Sequence, residues 1–162
     1  MRILEYDRQA AFEYAKKWAF RRNPRYYNFE KIGGDCTNFA SQCIYAGAKI
    51  MNFTPTFGWY YISINNRAPA WTGAEYLYNF LTGNDTEGPF GEETALNKLE
   101  VGDIVQLGTA AGDFYHSPVV VAVRQGRIYV AAHTYDAFMK PLSSYIFARA
   151  RGIHILGVRK TK

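Results

Sequence analysis

The sequence has few of the features by which membrane-spanning, exported or disulfide-bonded proteins are identified. Its longest apolar runs fall far short of the roughly 20 residues that a membrane-spanning helix needs. The segment Met1–Glu5 lacks the apolar core of a signal peptide, so it predicts no export signal of its own. Only Cys36 and Cys43 are present, and on one helix their Cα atoms would lie about 10 Å apart. That separation excludes a disulfide within the chain.

The motifs of several common chemistries are absent as well. The chain has no Gly-x-Ser-x-Gly elbow and no glycine-rich phosphate-binding loop. It also has no Cys-x-x-Cys or His-x-x-x-His pair of the kind that zinc sites usually contain. Cys36, His116 and His133 would remain as three zinc ligands, but without a close pair this alternative is not favoured. We therefore expect no metal and no cofactor.

The composition is that of a folded globular chain. The 162 residues are 48% hydrophobic and 20% charged, and proline, glycine and serine are spread rather than clustered. This length can bury well over half of the unfolded surface in a single core. We therefore predict one domain over residues 1–162, with no linker.

Hydrophobic periodicity predicts helices in the first half of the chain and strands in the second. The predicted helices cover residues 7–20, 36–46 and 74–81, and the predicted strands cover residues 103–107, 115–123, 127–133 and 154–158. Helices followed by an antiparallel sheet indicate the α+β class. Residues 48–72 form an irregular, aromatic connection, which is typical of a binding loop. Its aromatic side chains would either line a substrate groove or pack over the core.

Cys36 has the sequence surroundings of a nucleophile. Two glycines precede Asp35, which predicts the N-cap of a helix that begins at Cys36. The first turn of a helix presents unpaired N–H groups and a positive dipole end, and both favour a thiolate over a thiol. The alternative is a small buried apolar residue, the usual role of a free cysteine.

A predicted hairpin relates the two histidines His116 and His133. The dipeptide Gln125-Gly126 predicts a two-residue loop between adjacent strands, which fixes their register. In that register the two imidazoles share one face of the sheet, about 7 Å apart. A three-residue loop would shift the register by one residue and separate them.

Four segments together resemble a known family. They are Gly-Gly-Asp-Cys-Thr-Asn-Phe-Ala-Ser-Gln-Cys at residues 33–43, Val-Gly-Asp-Ile-Val-Gln at residues 101–106, His116-Ser117, and His133. They resemble the putative amidase domain family of bacterial proteins, within the papain-like group that includes CHAP and NlpC-type cell-wall hydrolases. The resemblance covers residues 7 to 158. It implies a papain-like cysteine hydrolase with N-terminal helices packed on a C-terminal antiparallel sheet, Cys36 as nucleophile and His116 as base.

Amide cleavage by a thiol requires a base and a group that orients the base. We assign His133 as the orienting residue, an arrangement that resembles the NlpC-type enzymes, with Asp136, Asp103 and Asp113 as alternatives. The backbone N–H of Cys36 is the candidate oxyanion donor. His154 has no predicted role. The candidate substrate-binding residues are Asp35, Trp59 and Tyr27.

The resemblance also implies the partners. The expected substrate is a peptide or peptidoglycan, and the family suggests a cell-envelope or secreted location. The net charge of +5 is concentrated in residues 16–25 and 149–162, which would suit an anionic cell-wall surface or form an ordinary solvated face. No nucleic-acid motif accompanies the charge, so that partner is not favoured. The functional alternatives are a transpeptidase or acyltransferase, and a non-catalytic module that binds cell wall or protein.

Overall fold

The helices lie in the first half of the chain. The computed structural model describes residues 1–161, so Lys162, the last residue of the second basic segment, lies outside them. Within the described residues the four helices are α1 (Arg8–Trp18), α2 (Cys36–Ala48), α3 (Pro69–Thr72) and α4 (Ala74–Gly83). Three of them match predicted helices, and the short α3 was not predicted. None of the helices in this part of the chain is both long and apolar enough to cross a membrane.

The predicted starts of α1 and α2 are confirmed. The Asp7 side chain accepts a hydrogen bond from the Ala10 N–H and caps α1. Helix α2 begins at Cys36, but the Asp35 side chain makes no capping hydrogen bond, because its carboxylate is bonded elsewhere. At the other end, Lys49 adopts a left-handed φ of 62° and ends α2.

The strands form one large sheet and one small hairpin. Their ranges are β1 (Arg2–Leu4), β2 (Tyr61–Ser63), β3 (Asn66–Arg67), β4 (Gly88–Thr94), β5 (Ile104–Gly108), β6 (Phe114–His116), β7 (Val119–Arg124), β8 (Arg127–Ala132), β9 (Ala137–Pro141) and β10 (Arg149–Lys160). Antiparallel strands follow the order β1-β10-β5-β7-β8-β9, with β4 beside β10 and β6 beside β5. β2 pairs only with β3. The predicted α+β class is confirmed.

Four predicted segments differ from the observed ones. The connection predicted to be irregular over residues 48–72 contains β2, β3 and α3, and the strand predicted over residues 154–158 extends over the whole of β10. The predicted strand 115–123 is divided at Ser117-Pro118 into β6 and β7, and proline cannot donate a hydrogen bond to a strand ladder. The predicted polar loop after α4 contains β4, which pairs with β10 along its length.

The hairpin between β7 and β8 determines where the histidines point. Its two-residue loop is confirmed, because Arg124 pairs with Arg127 and both loop residues have positive φ. A bulge at Val121 then shifts the pairing by one residue. A one-residue shift moves side chains to the opposite face of the sheet. The prediction that His116 and His133 share a face is therefore wrong.

Hydrophobic side chains pack on both faces of the sheet. The larger core lies between the sheet and the helices, and it includes Phe39, Ile44, Trp59, Trp71, Leu77, Ile104, Val119, Val121, Ala131 and Ile153. A smaller cluster lies on the other face and is formed by Leu99, Val105, Leu107, Val120 and Leu142, with Tyr145 packed against it. Ile104 belongs to the first core and Val105 to the second, as the alternation of a strand requires. Helix α2 therefore packs on one defined face.

Candidate active site

The Cys36 thiol lies against the segment that contains His116. Cys36 is the first residue of α2 and is 9% exposed. Its Sγ donates a hydrogen bond to the Tyr115 carbonyl oxygen at 3.5 Å and lies 3.8 Å from the Thr37 hydroxyl. The backbone N–H of Ser117 also faces the sulfur and acts to lower its pKa. The thiol is thus held by the two residues that flank His116.

Burial and hydrogen bonding act in opposite directions on this thiol. Burial raises the pKa of Cys36 above its ordinary value, because it disfavours the charged thiolate. Hydrogen bonds from the Thr37 hydroxyl, and from the N–H groups of Ser117 and Thr37, lower the pKa and offset part of that rise. The net pKa is raised, so the resting group is a thiol. The helix start alone does not produce the predicted thiolate.

His116 lies on the face of the sheet opposite to α2. It pairs with Leu107 of β5, and its ring lies 5.7 Å from the Tyr145 ring, centroid to centroid. Burial, and then the positive charge of Lys140, lower the pKa of His116 to about 4, so the imidazole is neutral at pH 7. Among residues 1–161, no hydrogen bond joins this ring to Cys36 Sγ.

His133 is buried beneath α2 and is 1% exposed. Its Nδ1 lies 2.6 Å from Asp35 Oδ2, its Nε2 lies 2.8 Å from the Trp18 carbonyl oxygen, and its ring stacks on Phe39 at 4.0 Å. A carbonyl and a carboxylate both accept hydrogen bonds, so His133 and Asp35 must share one proton between them. Both ring nitrogens are engaged away from His116. The predicted contact between the two imidazoles is wrong, because the bulge in β7 places the two rings on opposite faces of the sheet.

Asp35 is a buried acceptor rather than a substrate ligand. It is 0% exposed, and it accepts hydrogen bonds from the Phe29 N–H at 2.8 Å and from Asn38 Nδ2 at 2.9 Å, besides its contact with His133. Arg22 Nε lies 3.6 Å away and adds a positive charge. These contacts tie the approach loop to the start of α2. The predicted substrate contact of Asp35 is therefore corrected.

The other two predicted substrate residues differ in exposure. Trp59 is 0% exposed and donates from Nε1 to Ser41 Oγ in the core, which corrects its predicted place in a groove. Tyr27 is 40% exposed and packs edge-on against Phe29. Of the three predicted substrate residues, only Tyr27 lies at the surface.

The alternative orienting carboxylates have other partners or lie at the surface. Asp136 pairs with Arg22, and buried Asp103 bonds Arg8 and His154 at 2.8 Å each. Asp113 is exposed. His154, for which the sequence predicted no role, is thus hydrogen-bonded to the same carboxylate that pairs with Arg8. In residues 1–161, no group of three His, Cys, Asp or Glu side chains is arranged to hold a metal ion.

A groove of about 960 Å³ lies at the opposite end of α2 from Cys36. Tyr6, Arg8, Lys49 and Glu100 are among the residues that line it, and none of the predicted site residues does. Because the 13 residues of α2 span roughly 20 Å, this groove is separate from the thiol.

Sequence reasoning missed four polar residues that connect to the thiol. Thr37, Ser117, Gln106 and Arg151 form successive hydrogen bonds that lead away from Cys36 on the helix side of the sheet. Three of them lie within the segments that carry the family resemblance, which was the available signal. Arg151 lies outside those segments, and only the pairing of β10 with β5 brings it beside Gln106.

The two thiols should differ strongly in reactivity. Cys43 is 0% exposed, and burial raises its pKa well above the ordinary value, whereas Cys36 lies at the start of the helix with hydrogen-bond donors around it. A small alkylating reagent should therefore modify Cys36 at least tenfold faster than Cys43 in the folded protein. Peptide mapping by mass spectrometry at several time points measures both rates. Equal rates under native conditions would remove Cys36 as the nucleophile.

Comparison with known proteins places this chain in a family. Residues 5–156 match the family described as "Putative amidase domain", a description that points to hydrolysis of C–N bonds. The chain is also similar to a protein of Bacillus subtilis (strain 168) named "Uncharacterized protein YhbB", with 33% identity over 143 residues. The match covers 86% of this chain and 45% of that protein, so the chain spans about half the length of this relative. No solved structure matches the chain.

Proposed function

Because the chain belongs to the putative amidase domain family, we propose that it cleaves amide bonds with Cys36 as its nucleophile. One observation carries the proposal: the Cys36 thiol, at the first residue of α2, is held against the strand segment that contains His116. Under the proposal, α2 and the sheet form the papain-like arrangement that presents a cysteine at a helix start to a histidine on a strand.

In the proposed reaction, neutral His116 accepts the Cys36 proton and the sulfur attacks the carbonyl carbon of the amide. The oxyanion is bonded by the backbone N–H of Cys36. The C–N bond then breaks, His116 returns the proton to the leaving amine, and a thioester remains on Cys36. Water, deprotonated by His116, hydrolyses the thioester and releases the acid. Because the His116 side chain lies on the face of the sheet opposite to α2, rotation of the ring alone does not bring it to the sulfur. The proposal therefore requires the short segment between β6 and β7 to rearrange when substrate binds.

His133 acts as a positioning residue in this proposal. It was predicted to orient His116, but its contacts are with Asp35 and the Trp18 carbonyl. Since Asp35 immediately precedes Cys36, the pair of His133 and Asp35 fixes the start of α2 and with it the thiol. The group that orients His116 is not His133 in this arrangement.

Peptide and peptidoglycan amides are the proposed substrates. The family resemblance supports this choice, and the net charge of +5 suits a cell wall rich in phosphate and carboxylate. A transpeptidase would use the same thioester but pass the acyl group to an amine instead of water. A non-catalytic wall-binding module would keep the fold without the chemistry.

A digest of purified cell wall tests the function. The wild-type chain should release fragments with new free amino and carboxyl ends, identified by mass, and Cys36→Ser should release none. Cys43→Ser is the matched control, because it removes the other thiol and should digest as the wild type does. An undigested wall that nonetheless retains the protein would support the binding module and contradict the proposal.

The pH dependence of turnover should report His116. A base works only when neutral, so activity should fall as the pH drops through the His116 pKa of about 4, rather than near 6.5. Lys140→Gln removes a positive charge that lowers this pKa, so it should move the acid limb to higher pH. The ratio kcat/KM, measured from pH 3.5 to 8 for both proteins, checks the shift. An acid limb that stays in place in Lys140→Gln would contradict His116 as the base.

A further inference from the structure

A continuous series of polar side chains connects Arg151 to the Cys36 sulfur. Arg151 donates from Nε and Nη2 to Gln106 Oε1 at 3.0 and 2.8 Å. Gln106 Nε2 donates to Ser117 Oγ at 3.2 Å, and Ser117 Oγ lies 3.1 Å from Thr37 Oγ1. Thr37 Oγ1 in turn lies 3.8 Å from Cys36 Sγ. We call these five residues the Arg151–Cys36 chain.

The chemistry of its members fixes the hydrogen-bond direction from Arg151 to Ser117, and either hydroxyl can donate in the contact between Ser117 and Thr37. A guanidinium can only donate, so Gln106 Oε1 accepts and its amide nitrogen faces away from Arg151. The Ala74 carbonyl can only accept, and it lies 2.8 Å from Gln106 Nε2, which fixes the same amide orientation independently. Ser117 Oγ therefore accepts from Gln106, and its own hydrogen is available to Thr37. Thr37 then has its hydrogen available for the Cys36 sulfur.

The middle residues of the Arg151–Cys36 chain are buried, and its outer residue, Arg151, is held in place by several contacts. Gln106 is 0% exposed, Ser117 1% and Thr37 2%. Hydrogen bonds in such a low-dielectric interior are stronger and polarise one another. The Arg151 guanidinium lies over the rings of Tyr78 at 3.6 Å and Phe114 at 3.9 Å, and it also pairs with Glu75. Its donors are thus held at one position.

We propose that the Arg151–Cys36 chain is a one-way relay whose last hydroxyl donates to the sulfur and stabilises the Cys36 thiolate. In this inference, which rests on Cys36 as the proposed nucleophile, its members are positioning residues. Thr37 acts on the sulfur directly, and Arg151 acts at a distance, because its positive charge polarises the hydrogen bonds between the Gln106 amide and Thr37. The Tyr115 carbonyl accepts from the protonated thiol and favours the opposite state, so the relay supplies the donor that the thiolate needs once His116 has removed the proton.

The pH dependence of Cys36 alkylation tests the relay without requiring turnover. Thr37→Val keeps the side-chain shape and removes the donor, so the midpoint of the alkylation profile should rise by about one pH unit. The rate at pH 7 should fall about three- to tenfold, since the higher-pKa thiolate is also more nucleophilic. Thr37→Ser should restore the wild-type midpoint. Ser41→Ala, which removes another buried hydroxyl from α2, is the control and should leave the midpoint unchanged.

Arg151→Leu tests the remote end of the relay. It should move the midpoint in the same direction as Thr37→Val but by less, because three hydrogen bonds separate Arg151 from Thr37. Thermal unfolding of each variant verifies that it is folded, and Ser117→Ala replaces Thr37→Val if the latter does not fold. A midpoint unchanged in Thr37→Val, or in Arg151→Leu, would overturn the relay. An unchanged midpoint in these variants would leave the outcome of the wild-type cell-wall digest as it is. Failure of the relay and failure of the proposed function are therefore distinguishable.

Discussion

Asp35→Ala should lower the free energy of unfolding by about 3–5 kcal/mol. The carboxylate is 0% exposed and accepts from the Phe29 N–H, the Asn38 amide and the His133 ring, with Arg22 beside it. Alanine would leave these donors buried without their acceptor, which costs more than the loss of one exposed ion pair. Urea unfolding followed by circular dichroism measures the change.

Two further variants test whether the loss comes from the buried pair of Asp35 and His133. One replaces a surface aspartate, and the other replaces both members of the pair. Asp85 is exposed, so Asp85→Ala should change the free energy of unfolding by less than about 0.5 kcal/mol. Asp35 and His133 contact each other directly, so the combined variant Asp35→Ala/His133→Ala should lose less than the sum of the two single losses. Additive losses, or a loss below about 1 kcal/mol for Asp35→Ala, would contradict the buried pair as the anchor of α2.

His116→Ala should slow acylation by about 10²–10⁴-fold while leaving the protein folded. The thiol loses its only proposed proton acceptor, and burial, which raises the pKa of Cys36, leaves little thiolate without one. Single-turnover kinetics with a peptide amide measure the acylation step directly.

Position 133 should respond differently from position 116. His133→Ala should retain measurable activity but lose stability, because His133 acts through Asp35 and α2. His133→Asn should retain more activity and more stability than His133→Ala, since an amide still forms hydrogen bonds.

Wild-type activity should also survive a chelator, which separates this mechanism from the zinc alternative. Equal loss at positions 116 and 133, or silencing of the wild type by the chelator, would contradict the assignment.

Helix starts and tight turns could be predicted from the sequence because they depend on short-range signals. The Asp7 cap, the start of α2 at Cys36 and the two-residue loop at Gln125-Gly126 all follow from residue preferences over a few positions. The bulge at Val121 has no such signal. It lies inside a run of valines that fit either register, so only the packing of the sheet decides which residue is left unpaired.

The arrangement of the site depended on that long-range packing. The sequence identified Cys36 and the segment that contains His116, which the fold brings into contact. It misplaced His133, because one bulge reverses the face of every residue beyond it. It named Trp59 as a candidate substrate residue and left packing over the core as the alternative, because an aromatic loop has the same sequence pattern in both cases. The Arg151–Cys36 chain joins α2 to β5 and β10 through Ser117, which lies between β6 and β7, and it has no sequence pattern of its own.

Trapping of the acyl-enzyme shows whether Cys36 is the nucleophile. The protein is mixed with an activated peptide ester, quenched in acid and analysed by intact mass and peptide mapping. We expect an added acyl mass on Cys36 in the wild type and in Cys43→Ser, with no adduct in Cys36→Ser and far slower formation in His116→Ala. An acyl adduct that persists in Cys36→Ser, or one that maps to Cys43, would contradict Cys36 as the nucleophile.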